Sequence, residues 1–397
     1  MNKSNLKQHL LAVIKELKEK DIKDYSNGVH KIIHDCRVHE RLFDVNSFVD
    51  GLNLFLKEKS LNEHLAKKTI VMRYMKIINQ LLKSETPSYL VNELLNKLEQ
   101  ETSIKKEFKV YVPLRGLSLV NNIKCIVNYN SQIICPDEIL VNKLMPDINT
   151  KESQPVFIEQ IIRGSDFLKA MEIAVESSKL IVHFLRYVDY HYWDEELLSL
   201  RLPGYGSLME ELRVIALPID KDKIESYNWQ LKEAQDEDLE IDDDFIEDAK
   251  DVGLERFGEI LDNYITNSLN DMESQVLRSI VWFGESKIEH DPAARFLKLT
   301  LVLECLLNLN KSEPIATYLS ERVAFILGKT LDERLGMVEK VKHLYDIRSR
   351  IVHNGSLDVE ETDLIEIESI VAQLLALFLT NSQYSSLKTK EGLEKYN

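Results

Sequence analysis

A histidine near the end of a predicted helix is the residue of this chain whose position best suits proton transfer. His353 lies in the segment DIRSRIVHNG, two residues before Gly355. The negative end of the helix dipole favours a protonated imidazole, and an imidazole that titrates near neutral pH can act as a general acid or base. Positive residues surround it and make this the most basic neighbourhood of an acidic chain: Lys340, Lys342, His343, Arg348 and Arg350.

Arg348 occupies a different position on the same predicted helix. A helix over 331–353 places Arg348 near the middle of a broad apolar face, and His353 roughly 140° further round. A charged group on an apolar face needs a partner. Glu304 is the only acid in the apolar run RFLKLTLVLECLLNL. We therefore expect Glu304 and Arg348 to approach each other, directly or across a dimer interface. The simpler alternative is that Arg348, paired with Glu304, only stabilises the core and that His353 only caps the end of the helix.

The elements that position these residues form a predicted antiparallel helical bundle over 252–397. Apolar residues recur at helical spacing in six segments, and the connections between them are short. Gly284, Gly328 and Gly355 each follow a periodic run, as a C-terminal cap glycine does, and Pro292 suits a first helical turn. The predicted helices are 254–269, 272–283, 292–309, 315–327, 331–353 and 361–379.

Three further regions precede the bundle. Residues 1–101 show helical spacing of apolar residues, with segments from 29 toward 59, 62–82 and 89–100 after a first helix. Residues 102–218 predict a small α+β domain, with strands in EFKVYVPL, IKCIVNY and ELRVIALPI and a helix from Asp166 through Phe184. The run QPVFIEQII fits either a strand or the start of a helix. The fold class is therefore mainly α with a small α+β middle domain.

Residues 219–251 are predicted to be an acidic linker. Between Glu233 and Asp251 there are eleven acids and one lysine. A solvated linker or helix face is the simplest interpretation of such a run. A calcium site lacks the glycine that an EF-hand loop requires. The third alternative is an acidic segment that mimics RNA and covers a basic site.

Composition limits the class of protein further. A formal charge of −16 excludes non-specific coating of nucleic acid, so any RNA contact must use a local basic patch. The four cysteines lack a CxxC pair, which favours a reducing cytoplasm. The N-terminus lacks the continuous apolar stretch of a signal peptide, and the apolar stretch near residue 370 is too short to span a bilayer. We expect a soluble cytoplasmic protein without a membrane partner.

Two other segments carry chemistry-bearing side chains. HKIIHDCRVHE places His30 and His34 four residues apart, which on a helix would let them share a zinc ion, although no second ligand cluster is visible. The simpler interpretation is a polar helix rich in histidine. YVDYHYWDEE places aromatic residues around His191, where they could stack on bases or, more commonly, pack a helix end. PGYGS (203–207) is a turn without the pattern of a phosphate loop.

An ordered set of segments is similar to one known family. Arg348-Ser-Arg-Ile-Val-His353 resembles the Rx4–6H motif of HEPN domains. SIVWFGES, RFLKLTLVLECLL, YLSERVAFILG and HLYDIRSRIVHNG resemble, in this order, the successive helices of the Apea-like HEPN branch. The resemblance covers about 272–379, roughly a quarter of the chain. The ordered set is more specific than the Arg–His motif alone.

The resemblance implies a fold, a partner and an activity. HEPN bundles commonly pair into a homodimer in which two Arg–His motifs meet in one cleft, and they cleave RNA without metal or other cofactor to leave a 2′,3′-cyclic phosphate. His353 would move the proton, Arg348 would stabilise charge on the phosphate, and Arg350 and Asn354 would orient it. Ser349 takes the polar position after the motif arginine, with Glu304 in support.

The function expected on this basis is a metal-independent endoribonuclease in antiphage defence or a toxin-like stress response. Its partners would be RNA, with tRNA as one candidate, and a regulatory protein or phage-derived trigger. The alternative is a non-catalytic HEPN interaction or sensor module within a larger complex, because some family members have lost catalysis. The two expectations differ in whether Arg348 and His353 are needed for RNA cleavage.

Overall fold

The computed structural model describes residues 1–22, 29–144, 155–192, 200–202, 214–218, 225–227, 239–308, 315–355 and 358–396. The chain divides into two compact units. The first unit comprises 1–110, 161–174 and 216–225, and the second comprises 111–160, 175–215 and 226–397. Neither unit is continuous in sequence, whereas the sequence predicted four consecutive regions.

Helices make up most of the first unit. The predicted first helix is confirmed, because its five apolar positions at helical spacing are all buried. Tyr74 fills the centre of the unit, where its hydroxyl donates to the backbone oxygen of Phe48 at 2.9 Å. The helices that begin in this unit before residue 104 are α1 (Lys3–Glu19), α2 (Asn46–Lys57), α3 (Lys59–Asn62), α4 (Lys67–Leu82) and α5 (Pro87–Ser103).

The helix predicted from residue 29 onward is wrong over its first eleven residues, which form a β-hairpin. Strand β1 (His30–Ile33) pairs antiparallel with β2 (Cys36–His39). His34 and Asp35 join them with positive φ angles of 44° and 63°. A two-residue hairpin turn of this kind needs positive φ at both central residues, which aspartate and histidine tolerate better than β-branched residues do.

The predicted α+β character of the middle region is confirmed. The three predicted strands are present, and the ambiguous run after residue 154 is a strand. The strands are β3 (Lys106–Leu114), β4 (Leu117–Leu119), β5 (Cys125–Asn128), β6 (Ser131–Ile134), β7 (Val156–Gly164), β8 (Val214–Pro218), β9 (Glu225–Tyr227) and β10 (Leu239–Ile241). One sheet has the order β5-β6-β7-β3-β8-β9, and β4 pairs with β10 in parallel.

Two helices accompany these strands, α6 (Glu138–Leu144) and α7 (Phe167–Tyr192). Helix α7 begins after Asp166 as predicted, but it continues eight residues past Phe184. The Asp166 carboxylate accepts from the backbone N–H of Leu168 at 3.3 Å and from the Thr69 hydroxyl at 2.6 Å. This aspartate therefore stabilises the helix start and also ties it to α4 within the first unit.

The six helices predicted for the C-terminal region are confirmed, with ends that shift by a few residues. Helix α10 (Asp271–Ser286) packs on α11 (Pro292–Leu307), α11 packs on α14 (Glu361–Thr380), and α12 (Ile315–Leu327) packs on α13 (Leu331–Asn354). Asn270 and Thr330 each open a helix with a capping box, and Pro292 occupies the first turn of its helix. The helices are α8 (Asp243–Asp251), α9 (Leu254–Ile265), α10 (Asp271–Ser286), α11 (Pro292–Leu307), α12 (Ile315–Leu327), α13 (Leu331–Asn354), α14 (Glu361–Thr380) and α15 (Ser382–Ser385).

The three predicted cap glycines have different roles. Gly355 ends α13 in the left-handed conformation at φ 65°, as predicted. Gly328 follows α12 without a positive φ. Gly284 is not a cap, because α10 runs on to Ser286. A Cβ at Gly284 would lie 2.5 Å from Nδ1 of His183, so this glycine permits the close approach of α7 and α10 within the second unit.

The described part of the acidic segment, residues 219–251, contains the strands β9 and β10 and the helix α8. Helix α8 buries Phe245 and Ala249 and directs most of its acids outward, as the helix-face interpretation requires. Asp242 caps its start, where the side chain accepts from the N–H of Phe245 at 2.8 Å. Residues 219–224 and 228–238 lie outside the described residues. Across the described ranges, no helix has both the length and the apolar character needed to cross a bilayer.

Candidate functional site

Helix α13 carries every residue of the predicted site except Glu304. Its start is fixed by the capping box of Thr330 and Glu333, and its end by Gly355, whose N–H donates to the backbone oxygens of Arg350 and Ile351. Backbone groups at both ends of the helix thus have local hydrogen-bond partners, which fixes the residues at which the helix begins and ends. Its inner face packs on the bundle through Val341, Leu344, Tyr345, Ile347 and Ile351.

Arg348 and Glu304 form the contact that the sequence predicted. Nη2 of Arg348 donates to Oε1 of Glu304 at 3.4 Å, and the Tyr345 hydroxyl donates to the same oxygen at 3.3 Å. The contact is made within one chain, so no dimer interface is needed to satisfy the arginine. The side chains of Arg348 and Glu304 remain 29% and 20% exposed. The guanidinium is therefore anchored on one side and open to solvent on another.

Tyr345 is the least hydrated member of this group. Burial raises the pKa of its hydroxyl far above the usual value near 10, the charge of Glu304 raises it further, and Arg348 acts in the opposite direction. The hydroxyl therefore remains a hydrogen-bond donor over the whole physiological range. It orients the Glu304 carboxylate, which in turn orients the arginine.

The exposed end of α13 presents a separate group of polar side chains. Ser349, Arg350, His353 and Asn354 are all exposed. Residues 349 and 353 are four apart and share one side of the helix, whereas 348 lies on the side that faces α11. Within the described ranges, no hydrogen bond joins Arg348 to His353. The structure thus brings Arg348 and Glu304 together, and it leaves His353 accessible on a different side.

Acids on α14 balance part of the positive charge that the sequence placed around His353. Nε2 of His343 lies 3.0 Å from Oδ1 of Asp363. Lys340 pairs with Glu366 one turn further along α14. The neighbourhood is consequently less positive than its sequence indicates, and Lys342 and Arg350 are the exposed cations that remain on this part of α13.

Sequence reasoning missed a second polar group, which lies at the end of α11 beside Cys305. The Nζ of Lys390 donates to the backbone oxygen of Asn308 at 3.2 Å, close to the end of α11. Burial lowers the pKa of the Lys390 ammonium. Burial raises the pKa of the Cys305 thiol, and the charges of Lys390 and Arg278 act in the opposite direction. Lys390 is 82 residues from Asn308. No local pattern in the sequence signals this approach.

The remaining candidate segments have different outcomes. The zinc hypothesis for His30 and His34 assumed a helix, but both residues lie in the β1–β2 hairpin, and the ring of His30 lies 5.5 Å from that of His39 instead. The described ranges contain no group of three or more metal-binding side chains. Tyr187 is buried, as the packing interpretation of the aromatic segment expects. Trp193 and the PGYGS segment lie outside the described residues.

Comparisons with protein-family models, curated proteins and solved structures return no match for this chain. What the structure establishes is a helical bundle with an anchored, partly exposed arginine and an exposed histidine on one helix. The HEPN resemblance stays a prediction that rests on the sequence segments described above.

Proposed function

We propose that this protein is a metal-independent endoribonuclease of the HEPN type. The observation that carries the proposal is the state of Arg348, whose guanidinium is held by Glu304 at 3.4 Å while its side chain stays 29% exposed. A cation that is fixed in place but open to solvent suits a developing charge on a phosphate, since it needs no reorganisation during the reaction. His353, exposed in the last turn of the same helix, supplies the group that transfers protons.

The chemistry needs only these two groups and the RNA. A nitrogen of His353 accepts the proton of a ribose 2′-OH, and the 2′-oxygen forms a bond to the adjacent phosphorus. The bond from phosphorus to the 5′-oxygen breaks, that oxygen takes up a proton from solvent water, and the protonated His353 returns its proton to solvent. The products are a 2′,3′-cyclic phosphate and a 5′-hydroxyl. Dependence on the 2′-OH restricts the substrate to RNA.

The proposal includes a homodimer. Arg348 lies on the α11 side of α13, and His353 lies roughly 140° further round the helix. A single phosphate is therefore contacted more readily by Arg348 of one copy and His353 of a second copy than by both residues of one chain. Exposed apolar side chains are present on α13 at Val352 (47%) and on α14 at Ile365 (58%), where a second copy could cover them.

The proposal also includes a cellular role and a trigger. We place the protein in antiphage defence or a toxin-like stress response, with RNA as substrate and a regulatory protein or phage-derived molecule as activator. The net charge of −16 supports gated rather than constitutive activity, because it opposes unassisted RNA binding.

A non-catalytic binding module is the second candidate. The observation in its favour is the neutralisation of basic side chains: Glu304 pairs with Arg348, Asp363 with His343, and Glu366 with Lys340. A helix whose cations are already paired can serve as an interaction surface without catalysis. The two candidates separate in a cleavage assay.

The test compares four forms of the full chain on total RNA and on tRNA in the presence of EDTA. These are the wild type, Arg348→Ala, His353→Ala and the control His290→Ala, which removes an exposed histidine between α10 and α11. The ribonuclease proposal expects cyclic-phosphate ends from the wild type and the control, and a loss of at least about 100-fold in each site variant. Equal cleavage by all four forms would contradict it.

Mixing the two inactive variants tests the composite dimer. If each site takes Arg348 from one copy and His353 from the other, half of the dimers in an equimolar mixture contain both variants, and each of these has one intact site. About a quarter of wild-type activity should then return. If both residues act within one chain, no mixed dimer has an intact site and the mixture stays inactive.

A further inference from the structure

The end of α7 and the middle of α14 border a recess in the second unit that the proposed RNA chemistry does not use. Its volume is about 330 Å³, at the lower end of the range for small-molecule sites. The described residues that line it include two aromatic rings and two side chains with hydrogen-bonding groups. They are Tyr190, His191, Ser369, Ala372 and Gln373.

The aromatic wall of the recess is held in place by α10. The ring of Tyr190 lies 5.4 Å from that of Phe283 and 5.5 Å from that of His191, both in edge-to-face arrangements. Gly284 allows α10 to approach α7 closely at this point, because any Cβ there would meet His183. The wall is therefore preformed, and a ligand would not have to order it.

A buried charge cluster adjoins this wall through Lys287. Glu368 accepts from Lys287 at 3.1 Å and from Arg295 at 2.9 Å, so one carboxylate faces two cations. The Lys287 ammonium also lies 4.9 Å from the centroid of the Tyr190 ring. A cation at this distance attracts the π-electrons of the ring, and this favours stacking of the ring with an electron-rich partner.

The polar groups of the recess offer both donors and acceptors. Nε2 of His191 is buried and has no hydrogen-bond partner among the described residues, which is a costly state for a polar atom. The Gln373 amide nitrogen donates to the Ser369 hydroxyl at 3.0 Å. That bond leaves the Gln373 carbonyl oxygen and the Ser369 hydroxyl hydrogen to meet a ligand. Burial lowers the pKa of His191, so its ring is neutral at neutral pH.

We infer that this recess binds a nucleobase, either from a free nucleotide or from an RNA strand. A base is planar, electron-rich and uncharged, and it stacks on aromatic side chains such as Tyr190. Its edge carries donors and acceptors that can pair with Nε2 of His191 and with the carbonyl oxygen of Gln373. A purely aliphatic ligand would leave Nε2 of His191 unsatisfied. The inference does not depend on RNA cleavage by Arg348 and His353.

The experiment measures binding to the full chain by calorimetry. The probes are adenosine, guanosine, cytidine and uridine, together with a short oligoribonucleotide of mixed sequence. The variants are His191→Phe, which keeps a ring but removes the nitrogens, and Gln373→Met, which keeps the length but removes the amide. Gln383→Met changes an exposed glutamine on α15 and is the matched control.

The inference expects at least one nucleoside to bind the wild type and the control, with affinity about tenfold weaker in each recess variant. His191→Phe should melt no lower than the wild type, because it removes an unsatisfied buried atom. Saturation by a nucleoside alone identifies a free nucleotide as the ligand, whereas binding only of the oligoribonucleotide identifies an RNA strand. Failure of every probe to bind, or equal binding by both recess variants and the wild type, overturns the inference.

The double variant Arg348→Ala/His353→Ala separates this site from the proposed catalytic one. It should bind the nucleoside as the wild type does, even where RNA cleavage is abolished. Loss of nucleoside binding in this variant would show that the base is held at α13, and the recess would then carry no ligand of its own.

Discussion

Oε1 of Glu304 accepts a hydrogen bond from Nη2 of Arg348 at 3.4 Å and a second from the Tyr345 hydroxyl at 3.3 Å. The contact ties the last turn of α11 to the second half of α13. It also pairs Glu304, the only acid of the apolar helix α11, with Arg348, the only charged residue on the apolar face of α13. The pair is therefore structural in its own right, whatever chemistry Arg348 performs.

A double-mutant cycle measures how strongly Arg348 and Glu304 are coupled. We expect Arg348→Met and Glu304→Gln each to lower the free energy of unfolding by about 1–2 kcal/mol, because each leaves a partly buried partner unpaired. The double variant should lose less than the sum, with a coupling energy of about 1 kcal/mol, since solvent screens both side chains in part. Urea denaturation of the four forms gives the values.

Lys340 and Glu366 provide the matched control for this cycle. They form an ion pair between α13 and α14, but their side chains are 55% and 28% exposed. We expect a coupling energy of no more than about 0.5 kcal/mol for this surface pair. Strictly additive single effects at Arg348 and Glu304 would show that their contact contributes no net stability.

Two glycines of the α13 region should respond in opposite directions to the same substitution. Gly355 has a φ of 65°, and a Cβ there would meet nothing within 4 Å, so Gly355→Ala tests backbone conformation without a steric clash. It should lower the free energy of unfolding by about 1 kcal/mol. Gly336 lies inside the helix with the same open surroundings. Gly336→Ala should raise that free energy by about 0.5–1 kcal/mol.

Thermal or urea unfolding of both alanine variants decides the matter. Gly355→Asn adds a useful intermediate, because asparagine tolerates the left-handed region better than alanine does. The same sign of change at positions 336 and 355 would contradict the assigned helix end.

Local patterns were sufficient to predict the helices of the C-terminal region. Each of these helices has apolar residues at helical spacing, and several begin with a capping residue that needs only its own neighbours, such as Asn270 with Glu273. The contact between Glu304 and Arg348 was also predictable, because two isolated charges in apolar helices have few ways to be satisfied.

The features that could not be predicted depend on distant parts of the chain. Residues 30–39 alternate little, and the positive φ of His34 and Asp35 leaves only a weak sequence signal. In the sequence Gly284 resembles a cap glycine, and only the structure shows that α7 packs closely against it. The acids that neutralise Lys340 and His343 belong to α14, so the basic run of α13 looked more positive in sequence than it is in the bundle.

His183 should make the protein less stable in acid. Burial, and then the charges of Arg186 and Lys179, lower its pKa from 6.5 to about 3. The folded chain therefore keeps the imidazole neutral, whereas the unfolded chain binds a proton below pH 6.5. Stability from this group is fully present above pH 6.5 and is lost progressively as the pH falls toward 3. Between pH 8 and pH 5 the loss amounts to about 2 kcal/mol.

Urea denaturation across this pH range, in the wild type and in His183→Gln, isolates the contribution of His183. The variant should lose that part of the pH dependence, although it starts from a lower stability because the side chain packs over Gly284. His290→Gln, at an exposed position, should keep the wild-type slope.

The opposite result is physically conceivable, because Oε1 of Glu285 lies 3.6 Å from Nε2 of His183 and would favour the protonated ring. Burial should outweigh it, since the His183 side chain is only 1% exposed and two cations face it as well. If stability instead rose as the pH fell below 6.5, and the rise disappeared in His183→Gln, the ion pair with Glu285 would be the dominant interaction of this histidine.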